Sequence, residues 1–226
     1  MMFTTIKKAW EEQAFSSSII KEFLSMLDSS EEMLVYALKT LVKRGKGSKK
    51  QEEIYAKDKG INLTEQDIRR KIMAHLKTHP EGNLPSCLML ISISKDAERI
   101  GDHCKNLIEL RDIPDVTSED NTLFVKLFDT TGAQLIELIH EVKRSFKKGD
   151  RKRAQAAMEM AHTISDDCES IISETAESSY CADHAVVLTL GSRYMKRIAC
   201  HLSNIVSSVY NPLTSIDFHN TSAAQK

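Results

Sequence analysis

A twelve-residue segment occurs twice in the chain, and the second copy begins ninety-eight positions after the first. Within residues 95–106 and 193–204, four residue types keep their order and spacing. They are Arg99, Ile100, His103 and Asn106 in the first copy, and Arg197, Ile198, His201 and Asn204 in the second. Similarity of this kind at a fixed offset is the signature of a repeated structural unit. The chain is therefore predicted to contain two copies of one fold.

Apolar residues recur every three or four positions along both halves, which predicts α-helices throughout. The 226 residues include only four prolines and eight glycines. The first predicted helix covers about residues 3–43, the second ends near His79, and the third ends near Ile113. A linker at residues 115–120 follows, and three more helices are predicted between it and Asn211. The predicted fold is all-α, with two tandem three-helix bundles related by internal duplication. We place the first bundle at residues 1–113 and the second at residues 114–226.

Charge and composition exclude several functional classes. The net charge is −1, from 31 basic and 32 acidic residues, so nothing predicts a nucleic-acid partner. The longest apolar stretches are far shorter than the roughly 20 residues that cross a bilayer, which predicts no membrane insertion. Five cysteines without a Cys-x-x-Cys pair indicate a reduced, cytoplasmic protein.

Two basic runs, at residues 43–50 and 143–153, lie where the pattern predicts turns between helices. The simpler interpretation is a pair of solvated turns. An acidic membrane surface or an acidic protein partner is the alternative.

Two acidic residues of the first copy form a candidate site. Glu98 and Asp102 are four positions apart, so their carboxylates project from one face of the third helix. Asp58 and Asn62 have the same spacing on the second helix, and antiparallel packing would bring the two pairs together. Oxygen ligands suit cations such as Mg²⁺, Mn²⁺ or iron. The alternative is a solvated face with ordinary ion pairs, for instance to Lys95 or Arg99, each worth ~0–1 kcal/mol.

The second copy lacks these acids, because Lys196 and Cys200 stand in place of Glu98 and Asp102. A cation at the position of a carboxylate opposes metal binding. The counterpart of Asp58 and Asn62 on the fifth helix is either the pair His162 and Asp166 or the pair Ala161 and Ser165, and helix phase favours the second pair. The second half is therefore predicted to hold no metal.

The motif Asp96-Ala-Glu-Arg-Ile-Gly-Asp-His-x-x-Asn106 resembles the helix motif of the PhoU family of phosphate-uptake regulators. The second copy resembles the family's second motif, and residues 58–65 resemble the acidic segment on the preceding helix. The resemblance implies two similar three-helix bundles in a cytoplasmic, dimeric protein without enzymatic activity.

The same resemblance implies partners and a metal site. The partners would be the ATPase of a phosphate ABC transporter and a phosphate sensor kinase. The implied metal would be iron, zinc, magnesium or manganese. Its ligands, carried over position by position, would be Glu98, Asp102, Asp58 and Asn62.

Two other functional classes compete with this interpretation. One is a metal-free helical scaffold that binds a transporter or kinase. The other is a ferritin-like di-metal oxidase, which requires two Glu-x-x-His pairs. The chain has such pairs, Glu137 with His140 and Glu159 with His162, but both are predicted to face away from the core. No phosphate-binding loop or nucleophile motif occurs, so we expect no catalysis.

Overall fold

The computed structural model describes residues 14–43, 49–79, 84–113 and 122–211. These residues form helices α1 (Ala14–Lys43), α2 (Lys49–Thr78), α3 (Leu84–Glu109), α5 (Arg151–Ala176) and α6 (Ala182–Ser207), with α4 at residues 122–148. A 3₁₀ turn, Leu110–Asp112, follows α3, and the described residues include no strand. The predicted all-α fold with two repeats is confirmed. The predicted start of α1 near residue 3 lies outside the described residues.

The apolar stripes of all six helices meet in one core. Residues predicted to define these stripes are buried, among them Leu34 on α1, Ile68 on α2 and Ile100 on α3. Leu138 on α4 and Ile198 on α6 are likewise buried. Burial of such side chains stabilises a protein by roughly 1.5–3 kcal/mol each, so the core accounts for the association of the helices.

The two halves contact each other through two helix pairs. Helices α3 and α6 pack antiparallel, with Asp96 of α3 at His201 of α6 and His103 at Tyr194. Behind them α1 packs on α4, where the rings of Phe23 and Phe146 are 4.9 Å apart. None of the described helices is long and apolar enough to cross a membrane. The predicted boundary between residues 113 and 114 adjoins residues outside the described ranges and stays a prediction.

Helix α4 differs from a regular α-helix near its start. An α-helical turn, Thr122–Val125, leads into a π-helical segment, Lys126–Thr131, before the α-helix Gly132–Lys148. The Thr131 hydroxyl donates to the carbonyl of Lys126, five residues earlier, at 3.0 Å. The wider turn buries Leu127, Phe128 and Thr131 together. Residue spacing alone predicted an ordinary helix here.

Two helical glycines have opposite surroundings and give a matched stability test. A Cβ atom on Gly191 of α6 would lie 2.6 Å from Cζ of buried Phe128, whereas a Cβ on Gly60 of α2 would meet nothing within 4 Å. We expect Gly191→Ala to destabilise the protein by about 1–3 kcal/mol through overpacking. Gly60→Ala should stabilise it by about 0.5–1 kcal/mol, because alanine favours the helix. Urea denaturation of both variants checks the opposite signs, and equal signs would contradict the packing at Gly191.

Candidate functional site

The four residues of the predicted metal site lie on the adjacent helices α2 and α3. Asp58 is buried and Asn62 half-buried on α2, while the side chains of Glu98 and Asp102 on α3 are 13% and 26% exposed. The helices approach closely at Gly101, where an added Cβ atom would lie 3.0 Å from Cδ1 of Ile61 and 3.8 Å from Oδ1 of Asp58. The structure therefore brings Asp58 beside the Asp102 end of the acidic pair.

A lysine that sequence reasoning missed lies between these two carboxylates. The Lys105 ammonium is 3.2 Å from Oδ2 of Asp58 and 3.5 Å from Oδ1 of Asp102, so it links α2 to α3. Burial opposes the charge of Lys105, yet the hydrogen bond to Asp58 and the charges of both carboxylates raise its pKa. This ammonium group takes the position that a shared metal ion would need.

Two further cations neutralise the rest of the acidic face. Lys95 lies 2.6 Å from Glu98, and Arg99 lies 3.4 Å from Asp102 and 3.8 Å from Glu98. Within the described ranges no group of three or more His, Cys, Asp or Glu residues is placed to hold a metal ion.

Three carboxylates against three cations leave little net negative charge for a metal, so the arrangement fits an ion-pair network rather than a metal site. Metal binding by Glu98, Asp102, Asp58 and Asn62 stays a prediction, and a metal ion would have to displace Lys105.

The corresponding face of the second half has a different charge. Lys196 of α6 contacts Glu169 of α5, and Cys200 is exposed. Ala161 is buried in the α5 stripe whereas Asp166 is exposed, in agreement with the favoured alignment. No acidic pair comparable to that of α3 stands on α6, and the absence of metal from this half stays a prediction.

The repeated histidine and asparagine have a structural role that the repeat alone did not reveal. His201 and Asn204 of α6 both donate to Oδ1 of Asp96 on α3, at 2.7 and 3.1 Å. Asp96 is nearly buried by this contact. Two hydrogen bonds to one buried carboxylate therefore join the two halves of the protein.

An approximate twofold relation places a second contact opposite the first. Tyr194 occupies the position in the second copy that Asp96 occupies in the first. The ring of His103 stacks on Tyr194 with centroids 6.1 Å apart, and on His201 at 5.6 Å. The two repeated histidines thus meet near the axis that relates the halves, which explains why both copies retain them. The sequence held one sign of these contacts. His103 and His201 are repeated, whereas the corresponding positions Asp96 and Tyr194 differ.

Acid should weaken this interface through His103. Burial, followed by the charges of His201 and Arg197, lowers the pKa of His103 from 6.5 to about 4, and both its ring nitrogens are buried without a hydrogen-bond partner. Because the folded pKa lies below the unfolded one, the stabilising contribution is complete above pH ~6.5 and is lost as the pH falls towards 4. We expect His103→Phe to flatten this part of the stability profile, measured by urea denaturation between pH 4 and 7. If stability depends on pH in the same way in His103→Phe and in the wild type, His103 is not the group responsible.

The two Glu-x-x-His pairs lie on the surface, as predicted. Glu137, Glu159 and His162 are exposed, and half-buried His140 contacts Glu31 of α1 at 2.8 Å. These residues do not converge inside the bundle, where a ferritin-like di-metal site would lie.

The comparisons with known proteins agree with this architecture. The PhoU domain model matches residues 23–110. PhoU from Pseudomonas aeruginosa has a similar crystal structure, with a TM-score of 0.75 and 18% identity over 87% of this chain and 95% of that one.

A second crystal structure is similar to the same extent. It is the phosphate transport system regulatory protein PhoU from Streptococcus pneumoniae, with a TM-score of 0.73 and 17% identity over 89% of this chain and 94% of that one. No curated protein matches the chain. The resemblance to the PhoU family is therefore confirmed: the PhoU domain model matches residues 23–110, and the chain shares its fold with these two PhoU proteins.

Proposed function

We propose that the protein is a non-enzymatic regulator of phosphate uptake and phosphate signalling. The observation that carries this proposal is the match of the PhoU domain model to residues 23–110, within a fold that two PhoU proteins share over 87% and 89% of the chain. One of the two similar structures is a phosphate transport system regulatory protein. Among the described residues, no group of three or more His, Cys, Asp or Glu is placed to hold a metal ion, which is in keeping with regulation through binding.

The proposed mode of action is that of a metal-free adaptor. Its helical faces would contact the ATPase of a phosphate ABC transporter and a phosphate sensor kinase on the cytoplasmic side of the membrane. The pairing of Glu98 with Lys95, and of Asp58 and Asp102 with Lys105, supports this mode over a metal-dependent one. An ion-pair network of this kind holds α2 against α3 and so preserves the faces that partners would bind.

Phosphate uptake in cells tests the function directly. Deletion of the gene should leave the rate of radiolabelled phosphate uptake high when phosphate is abundant, and expression of the intact chain should restore the decrease. Uptake that is the same with and without the gene would contradict the proposal. Co-purification with the transporter ATPase or the sensor kinase identifies the contact.

A variant separates the two modes of action. One quadruple variant removes all predicted metal ligands: Asp58→Ala, Asn62→Ala, Glu98→Ala, Asp102→Ala. Regulation that survives in this folded variant supports the metal-free adaptor, while regulation and bound metal lost together support a metal-dependent one. The mass of the protein in solution tests the predicted homodimer independently.

A further inference from the structure

The turn between α4 and α5 concentrates positive charge in a protein whose net charge is only −1. Residues 143–153 include seven Lys or Arg residues and one Asp, whereas the whole chain has a net charge of −1. The sequence alone left two interpretations open, a solvated turn or a surface for an acidic partner. The contacts of the individual cations distinguish them.

Three of the seven cations are held by carboxylates of the protein itself. Lys143 contacts Glu31 of α1 at 2.8 Å. Arg144 and Arg153 both contact Glu141, at 2.7 and 2.5 Å. Lys143 and Arg153 thereby join neighbouring helices, and the charge of all three cations is partly neutralised by these carboxylates.

The other four cations form what we call the cationic tip: Lys147, Lys148, Arg151 and Lys152. All four side chains are exposed at one end of the bundle. Arg151 donates to the carbonyl of Tyr210 at 3.0 Å. Over the described ranges, neither Lys148 nor Lys152 is paired with a carboxylate. Lys148 and Lys152 in particular are therefore open to an external anion.

The backbone holds the cationic tip in a short, defined turn. Gly149 adopts the left-handed conformation, with φ of 66°, and its amide donates to the carbonyl of Phe146 at 3.4 Å. The Asp150 carboxylate caps α5 by accepting from the amide of Arg153 at 3.1 Å. A turn with a capped helix on one side and a glycine on the other presents the four cations together.

Two of these cations are placed against the electrostatic preference of their helix. Arg151 and Lys152 lie in the first turn of α5, which contains no acidic residue. The N-terminus of a helix carries a partial positive charge, so cations there destabilise the free protein. An anion bound at the tip removes this repulsion.

The chemistry of the tip favours lipid headgroups over a protein surface. The turn exposes no apolar or aromatic side chain, since Phe146 is buried. Protein interfaces depend on aromatic and apolar anchors and are depleted in lysine. Anionic headgroups, in contrast, attract clustered Lys and Arg through charge alone. We propose that the cationic tip docks the protein, peripherally, on a membrane surface that contains anionic lipid.

Vesicle sedimentation tests the proposal on the full chain. The wild type should bind phosphatidylcholine vesicles that contain about 30 mol% phosphatidylglycerol, and should not bind pure phosphatidylcholine, because the attraction is electrostatic. The variant Lys147→Gln, Lys148→Gln, Arg151→Gln, Lys152→Gln should bind roughly a hundredfold to a thousandfold more weakly. Binding should also decrease at ~0.5 M salt, where charges are screened within a few ångströms.

A charge-matched variant provides the control. Lys39→Gln, Lys59→Gln, Lys77→Gln, Arg197→Gln removes the same number of exposed cations from other surfaces and should bind like the wild type. No binding to anionic vesicles, or an equal loss in both variants, would overturn the proposal. Tighter binding to polyglutamate than to vesicles would overturn it in favour of an acidic protein. The vesicles contain only lipid, so the outcome is independent of the proposed role in phosphate uptake.

Discussion

Replacing Lys105 with Met is expected to raise the affinity of the first bundle for Mn²⁺ or Zn²⁺ by about tenfold or more. The lysine ammonium lies 3.2 Å from Asp58 and 3.5 Å from Asp102, where it competes with a metal ion for both carboxylates. A pair of unit charges about 4 Å apart interacts by roughly 4 kcal/mol near a protein surface. About a third of that energy corresponds to a tenfold change in affinity. Isothermal titration of the wild type and variant with each metal measures the difference.

Two further variants make this titration specific. Lys77→Met removes an exposed charge from α2, the helix of Asp58 and Asn62, at a distance from the site, and should leave metal affinity unchanged. Adding Asp58→Asn and Asp102→Asn to Lys105→Met should abolish the gain. If wild type and Lys105→Met bind metal equally, Lys105 does not compete. Tight binding by the wild type that Glu98→Ala and Asp102→Ala remove would establish the metal site as the sequence predicts it.

Asp96→Ala should destabilise the protein by about 2 kcal/mol, because it leaves two half-buried donors without their charged acceptor. The Asp96 carboxylate accepts from His201 at 2.7 Å and from Asn204 at 3.1 Å across the contact between the halves. Urea denaturation of the variant and the wild type measures this loss. Asp96→Asn keeps one acceptor oxygen and should lose less.

An exposed aspartate provides the comparison for Asp96. Asp166→Ala on α5 removes the same carboxylate from the surface and should change the free energy of unfolding by less than about 0.5 kcal/mol. The double variant Asp96→Ala, His201→Ala should be less destabilised than the sum of its single variants, since both remove one contact. Equal effects of Asp96→Ala and Asp166→Ala would show that the contact between the halves contributes no stability.

The periodicity of apolar residues was enough to predict the helices and their buried faces. Leu34, Ile68 and Ile100 are buried where the spacing predicts. The spacing also predicted that Asp58 approaches Asp102. The spacing did not reveal that Lys105 lies between these two carboxylates. A long side chain can pair with a residue of the neighbouring helix, and which residue it reaches depends on the register between the helices.

The burial of Asp96 also could not be predicted from the residue pattern of a single helix. A helical period shows which residues share a face, but it does not show which neighbour covers that face. Here α6 covers Asp96, and the partners lie more than a hundred positions away in the sequence. The π-helical segment Lys126–Thr131 was missed for a related reason, since packing of Phe128 on Gly191 is a tertiary contact.

The approximate twofold relation between the halves has an evolutionary consequence. In a dimer of identical subunits, one mutation changes both symmetric contacts at once. Once two copies are fused in a single gene, each side of the interface can mutate separately. One contact here is a carboxylate with a histidine and an asparagine, while its counterpart is a tyrosine stacked on a histidine. The same independence lets α3 carry an acidic pair while α6 carries a lysine and a cysteine at the corresponding positions. A duplicated unit within one chain can therefore carry two different contacts and two different charge patterns on one fold.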